Sequence, residues 1–181
     1  MKDVLIGLGG NLGDVEATFG RACRLLESDL RFIRMSRVYW TEPVYDKPGA
    51  VIPVGDVPWY RNAVIRAETS VPPHDLLLRL LDVEHALGRQ RPSPECSPRP
   101  IDLDLLLYGD DVITPEKPGD LEIPHPRMHL RTFVLQPAVE VAPDWMHPVL
   151  HKSLRELYRM LPSSKGSSNP RGCIQSADYR V

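Results

Sequence analysis

Hydrophobic and polar positions along the chain follow two periods, one of strands and one of helices. Residues 2–9, KDVLIGLG, form a near-continuous apolar run that ends in glycines, which predicts a buried strand. Asp14 then stands as the N-cap of a helix whose stripe is Val15, Phe19, Ala22, Leu25 and Leu26. A strand is expected over 31–40, with Phe32, Ile33, Met35, Val38 and Trp40 as its bulky members, and another over 59–70. Ser70 and Pro72-Pro73 open a helix with Leu76, Leu77, Leu80, Leu81 and Leu87 at helical spacing, and Gly88 stops it. IDLDLLLY, 101–108, is the clearest strand. A short helix near 126–136 and an amphipathic helix near 151–161 complete the pattern.

Between these elements the 19 prolines gather at 43–58, 92–100, 115–126 and 137–148, where they act as punctuation. The stretch 41–58 has no period, and loops of that length in compact domains are usually functional or disordered. The order β-α-β-β-α-β matches the ferredoxin-like split β-α-β sandwich, an α+β fold with helices packed on one face of an antiparallel sheet. Residues 1–161 read as a single domain and 162–181, SSKGSSNPRG included, as a flexible tail.

Composition narrows the function classes. A length of 181 residues supports one domain with a modest extension, at roughly 150 residues per domain. With 42% hydrophobic and 25% charged residues the chain sits near globular averages, so wholesale disorder is excluded. No apolar run approaches the roughly 20 residues of a membrane span, and the N-terminus lacks the pattern of a signal peptide, so a cytoplasmic protein without membrane contact is expected. A net charge of -2 argues against nucleic acid as the partner, though not against a small anion. Three cysteines without metal spacing suit a reduced compartment.

Candidate chemistry lies in IDLDLLLY. Alternation puts Ile101, Leu103, Leu105 and Leu107 on one face and Asp102 with Asp104 on the other. Two residues span about 6.7 Å, so both carboxylates can converge on cations between them. Hard oxygen ligands without Cys or His favour magnesium shared with a substrate's phosphates. Standing alone, two acids on a half-solvated strand, each paired with Arg, are the commoner arrangement. Arg89, Arg91 and Arg99 lie immediately upstream in a Gly- and Pro-bounded loop, and the planar fork of Arg suits phosphate oxygens. Acidic strand and basic loop together are the layout of phosphoryl transfer from a nucleotide, and they bring the functional reading level with the plain one. GLGGNLGD carries Leu12 where a dinucleotide fingerprint starting at Gly7 needs its third glycine, and there is no G-K-[ST]. Its glycines make a tight turn or admit a close approach to the backbone.

The segments GLGGNLGD, RVYWTEPV, YRNAVI, VEHALGR, SPRPIDLDLLLYGDDVI and IPHPRMHLRTFVLQPAVEVAP, in this order, resemble the 6-hydroxymethyl-7,8-dihydropterin pyrophosphokinases of folate biosynthesis. The resemblance runs over about 4–150, and the pairing of PR-x-IDLDLLLYG with IPHPRM is its most specific part. It implies transfer of the β,γ-diphosphate of MgATP to the hydroxymethyl group of a reduced pterin, with AMP released. It further implies that Asp102 and Asp104 hold two magnesium ions and that Arg89 and Arg99 contact the phosphates. Arg91 would assist them, Glu84 would stand behind the reacting groups, and His125 and Arg131 would lie on the nucleotide side. Tyr60 and Phe133 match the family's stacking pair, Asn62 its pterin-reading amide, and Thr41, Pro43 and Val44 the segment that completes the slot. The expected partners are ATP, as co-substrate, and the reduced pterin, in a monomer.

Three departures from the family pattern stand out. Cys96-Ser97 occupy the place of a common Trp-Gly, Pro100 that of a usual Thr, and the 45–58 loop is longer than in compact relatives. Two other readings stay open at this point. One is a different two-metal nucleotidyl or phosphoryl transferase, which would keep the aspartates but need no pterin slot. The other is a non-catalytic ligand-binding domain.

Overall fold

The apolar run at the start of the chain sets the layout. In this computed structural model, which describes residues 1–43, 58–91, 97–117, 119–162 and the backbone of 173–175, the run is strand β1 (Lys2–Gly10). Val4, Leu5 and Ile6 are all fully buried. Successive strand side chains point to opposite faces, so consecutive buried residues require cover on both. β1 pairs antiparallel with β4 (Tyr60–Thr69) on one side and β5 (Asp102–Tyr108) on the other. With β2 (Arg31–Met35), β3 (Tyr39–Thr41) and β8 (Cys173–Gln175), they build one sheet of order β5-β1-β4-β3-β8, with β2 also on β4.

Helices α1 (Val15–Leu26) and α2 (Pro73–Ala86) cover one face, setting Phe19, Leu26, Leu76 and Leu80 on Val4, Ile6, Ile65 and Leu103. Helices α3 (Thr132–Val141) and α4 (Leu154–Met160) cover the other, with Leu135, Ala138 and Leu154 against Leu5, Val64 and Leu106. The antiparallel α+β sandwich of ferredoxin-like type is therefore present, but its helices lie on both faces rather than one. The continuous apolar run of β1 is the sequence signal for this. Each fully buried Leu, Ile or Phe contributes about 1.5–3 kcal/mol, so both layers are needed to hold the sheet.

Local signals act where the pattern places them. The Asp14 carboxylate accepts the Ala17 N–H at 3.0 Å and caps α1, and Gly88, at φ 94°, ends the α2 segment. Leu25, expected in the α1 stripe, is exposed, and Thr18 and Cys23 are buried instead.

Two irregularities aim side chains at the site. The strand expected over 31–40 is broken: Met35 pairs with Ile65 but Tyr39 with Asn62, so one extra residue enters between them. Ser36 closes the gap, its N–H donating to Val64 O and its hydroxyl accepting the Val64 N–H, both at 2.9 Å. A one-residue shift exchanges faces, which turns Tyr39 and Thr41 toward α3. In β5, Ile6 pairs with Leu105 and Leu5 with Leu107, leaving Leu106 as a bulge. Leu107 consequently joins Leu106 on the α3 face instead of following Leu103 and Leu105 as alternation predicts.

The helix expected near 126–136 is a 3₁₀ turn, Met128–Leu130, followed by α3, which runs through Pro137. Burial of Leu135, Pro137 and Ala138 overrides the proline's cost. β6 (Met146–His147) and β7 (Lys152–Ser153) form an unforeseen hairpin, and a Ser153–Glu156 capping box starts α4 at Leu154. Within the segment read as a tail, Cys173–Gln175 pair with Thr41–Tyr39.

Candidate active site

The ends of β1, β3, β4 and β5 and the start of α3 surround a cavity of about 320 Å³ on the α3 face of the sheet. That size falls at the lower end of small-molecule sites, which run roughly 300–1,000 Å³. Asp102 and Asp104 enter it from alternate positions of β5, as the strand period requires. The Asp102 carboxylate accepts from Arg89 Nη1, and its other oxygen lies 3.3 Å from Arg99 Nη1. Asp104 has no hydrogen bond or ion pair to its carboxylate among the described residues. Burial, then the charges of Asp102 and Glu84, push its pKa up to about 7.

Behind the carboxylates, the last turn of α2 delivers Glu84, 1% exposed. Its Oε1 accepts the Leu103 N–H at 2.7 Å and Arg89 Nη1 at 2.5 Å, and its Oε2 accepts Arg91 Nη2 at 2.8 Å. Burial raises the Glu84 pKa, and the three donors oppose the rise. Glu84 thereby ties two arginines to the backbone between the two aspartates, which explains a buried acid at a helix end.

Asn11, from the glycine-rich segment, is also buried. It exchanges two bonds with Arg99, its N–H donating to Arg99 O at 2.9 Å and its Oδ1 accepting the Arg99 N–H at 2.8 Å. Its Nδ2 donates to Pro58 O at 3.1 Å, just ahead of Tyr60. The glycines beside it are close-approach positions: a Cβ on Gly10 would lie 2.7 Å from Pro100 O, and one on Gly9 would lie 3.3 Å from Asn62 Oδ1. Only Gly13 of this segment, at φ 67°, serves the turn.

Another part of the cavity lining is an amide edge with aromatic side chains. Asn62 Nδ2 donates to Thr41 Oγ1 at 2.8 Å, which leaves Asn62 Oδ1 as an acceptor beside Gly9. Arg99 Cζ lies 5.6 Å from the Tyr60 ring centre and Arg131 Cζ 5.3 Å from that of Phe133. His125 hangs from the β5 bulge, its N–H donating to Leu106 O at 2.9 Å. Its Nδ1 accepts the Arg127 N–H at 3.2 Å, which places the ring proton on Nε2. Burial, with Arg131 and Arg127 nearby, lowers its pKa to about 4, so the ring is neutral.

Of the residues singled out from sequence, Thr41, Pro43, Tyr60, Asn62, Arg89, Arg91, Arg99, Asp102, Asp104, His125, Arg131 and Phe133 all line the cavity. Glu84 lies behind it, and Val44 and Cys96 fall outside the described residues. Sequence reasoning misses Glu42, Arg127 and Asn11. Arg127 is within its reach, as a second basic residue of IPHPRMHLR.

The donor set fits magnesium. The two carboxylates supply oxygen alone and leave other positions to phosphate and water. Among the described residues no closed cage of three or more His, Cys, Asp or Glu competes.

Comparison with known proteins decides the family. The model of the 7,8-dihydro-6-hydroxymethylpterin-pyrophosphokinase (HPPK) family matches residues 5–143, a span that holds every cavity-lining residue named above. The chain belongs to this family. It is 34% identical over 157 residues to the 2-amino-4-hydroxy-6-hydroxymethyldihydropteridine pyrophosphokinase of Aquifex aeolicus, covering 86% of this chain and 90% of that protein. It is 39% identical over 141 residues to a folate synthesis bifunctional protein of Arabidopsis thaliana, covering 77% of this chain but 27% of the plant protein. In fold it matches the Plasmodium falciparum HPPK-DHPS wild type crystallised with SDX-DHP, at a TM-score of 0.66 and 18% identity. That match covers 88% of this chain and 43% of the other. Among the described residues no helix of this HPPK family member is long and apolar enough to cross a membrane.

Proposed function

We propose that this chain works as its family does, transferring the terminal diphosphate of ATP to the hydroxymethyl group of 6-hydroxymethyl-7,8-dihydropterin, a step of folate biosynthesis that releases AMP. It is an ATP-dependent diphosphotransferase, and ATP is its co-substrate. The observation that carries the residue-level reading is the meeting, in one cavity, of paired carboxylates, arginine forks and an amide-and-aromatic slot.

Asp102 and Asp104 are the residues that hold magnesium, two ions in this reading, which when bound neutralise the triphosphate and act as Lewis acid on the phosphoryl group. Arg89 and Arg99, now paired with carboxylate oxygens, present the same forks to phosphate oxygens and stabilise charge on the transferring group and on AMP. Glu84 holds the Arg89 fork from behind, and Asn11 holds the backbone of Arg99. Tyr60 and Phe133 stack on the flat pterin, and Asn62 Oδ1 accepts from its N–H edge. Neutral His125 offers Nε2–H as a donor that adds no charge, beside Arg127 and Arg131. Residues 1–161 act as one catalytic domain.

Incubation with MgATP, with and without the hydroxymethyl-dihydropterin, tests the reading. AMP that forms only with pterin, in equal amount to pterin diphosphate, supports it. ADP as product, or AMP formed equally well without pterin, refutes it.

A further inference from the structure

The slot just described has walls on two different elements. Thr41, Tyr60 and Asn62 belong to the sheet, whereas Phe133 sits in the first turn of α3. That turn is loosely built. It has no side-chain cap, and Pro137 has no N–H to offer the Phe133 carbonyl four residues earlier. The height of Phe133 above the sheet therefore depends on what holds the helix further along.

Glu140 supplies that hold. It lies seven residues after Phe133, two helical turns on and on the same side of α3. Its Oε2 accepts the Tyr39 hydroxyl at 2.9 Å and the Arg37 N–H at 3.2 Å, and its Oε1 accepts Arg37 Nε at 3.2 Å. Tyr39 is 2% exposed and pairs directly with Asn62 across the ladder, two residues before Thr41, the partner of the Asn62 amide. One carboxylate on α3 thus grips the strand pair that carries the amide edge. Burial and then the Glu140 carboxylate push the Tyr39 phenol up to about 12, which keeps its proton in the bond.

We propose that the Glu140–Tyr39–Arg37 bridge is a positioning device that sets the gap between Phe133 and Tyr60, which pairs with Thr41 in the gripped strands, and so selects a ligand as thin as a single flat pterin. The bridge rests on the slot assigned above and touches neither substrate. Its effect falls chiefly on pterin: of the expected nucleotide contacts named above, Arg131 alone adjoins α3, whereas Glu84, Arg89, Arg91, Arg99, Asp102, Asp104 and His125 stand on other segments.

Steady-state kinetics on Tyr39→Phe, Glu140→Ala and Glu140→Gln, with Asn62→Ala beside them, test it. Tyr39→Phe keeps the ring and removes one hydroxyl, and should raise the pterin KM about tenfold, as loss of a hydrogen bond to a charged group does. The ATP KM should stay within about twofold. Glu140→Ala should raise the pterin KM further, and Glu140→Gln, which keeps an acceptor for the phenol, should recover part of the loss. Should Tyr39→Phe fold poorly, the contrast between Gln and Ala at position 140 carries the test. A pterin KM unchanged in all three variants, or equal rises for both substrates, overturns the bridge. An unchanged pterin KM in Asn62→Ala overturns the slot itself. A rise in Asn62→Ala with none in Tyr39→Phe or Glu140→Ala overturns the bridge alone.

Discussion

Glu84→Gln is the substitution whose cost follows most directly from the site's construction. The wild-type carboxylate accepts three bonds, from the Leu103 N–H, Arg89 and Arg91, at 2.5–2.8 Å, in a place 1% exposed. Glutamine has the same shape, so its oxygen retains Leu103 and Arg89, but its NH2 then faces the donors of Arg91. Arg91 is half-exposed and swings into water at little cost. Arg89 is 9% exposed and loses the charge of one of its two carboxylate partners, keeping Asp102. Removing a whole partner from a buried pair costs about 3–5 kcal/mol, and the retained Asp102 sets the loss here near 3 kcal/mol. At roughly 2–4 °C per kcal/mol for a chain of this size, the melting temperature should fall by about 6–12 °C. Circular dichroism melts of both proteins at pH 7.5 measure it. A shift under about 2 °C would refute the reasoning, because it would mean that the buried triad contributes no more than a surface pair.

Other expectations follow from the same contacts. Arg99→Ala should lower kcat by about 10³-fold with little change in melting temperature, since the arginine is held for charge that develops on transfer; a loss confined to KM would contradict it. Gly10→Ala forces a Cβ to 2.7 Å from Pro100 O, so the basic loop must move off Asn11; stability should drop by about 1–3 kcal/mol and kcat should fall, and wild-type values for both would contradict it. Burial and then His129 lower the His147 pKa to about 4, so the folded chain refuses a proton that the unfolded chain accepts near 6.5. Stability from this group is therefore full above about 6.5 and lost as the pH falls toward 4, and a His147→Asn protein, which keeps the acceptor for the Leu150 N–H, should lose less melting temperature over that range.

Much of the site is legible in the amino-acid sequence, and the parts that are not share a cause. The Asp102–Asp104 pair follows from a period of two in a run with no irregularity before Leu105, and the family motifs carry the arginines, Asn62 and the aromatics. The run Val4-Leu5-Ile6 also signals that both faces are covered, which outweighs the count of helices. The orientation of Tyr39 and Thr41 is hidden, because it depends on one extra residue near Ser36 whose hydroxyl stands in for a ladder bond. Leu107 changes faces for the like reason at Leu106. Pro137 reads as a helix stop, and the packing of Leu135 and Ala138 overrules it. Asn11 acts through a bond to a residue 88 positions away, and no local pattern announces such a partner.

Crystals grown with manganese and a nonhydrolysable ATP analogue give the most direct test, read by anomalous scattering at the metal edge. Peaks are expected about 2.0–2.2 Å from carboxylate oxygens of both Asp102 and Asp104, with Arg89 and Arg99 turned from carboxylate to phosphate. Bound nucleotide with no peak at those aspartates, and both arginines still paired with Asp102, would contradict this expectation.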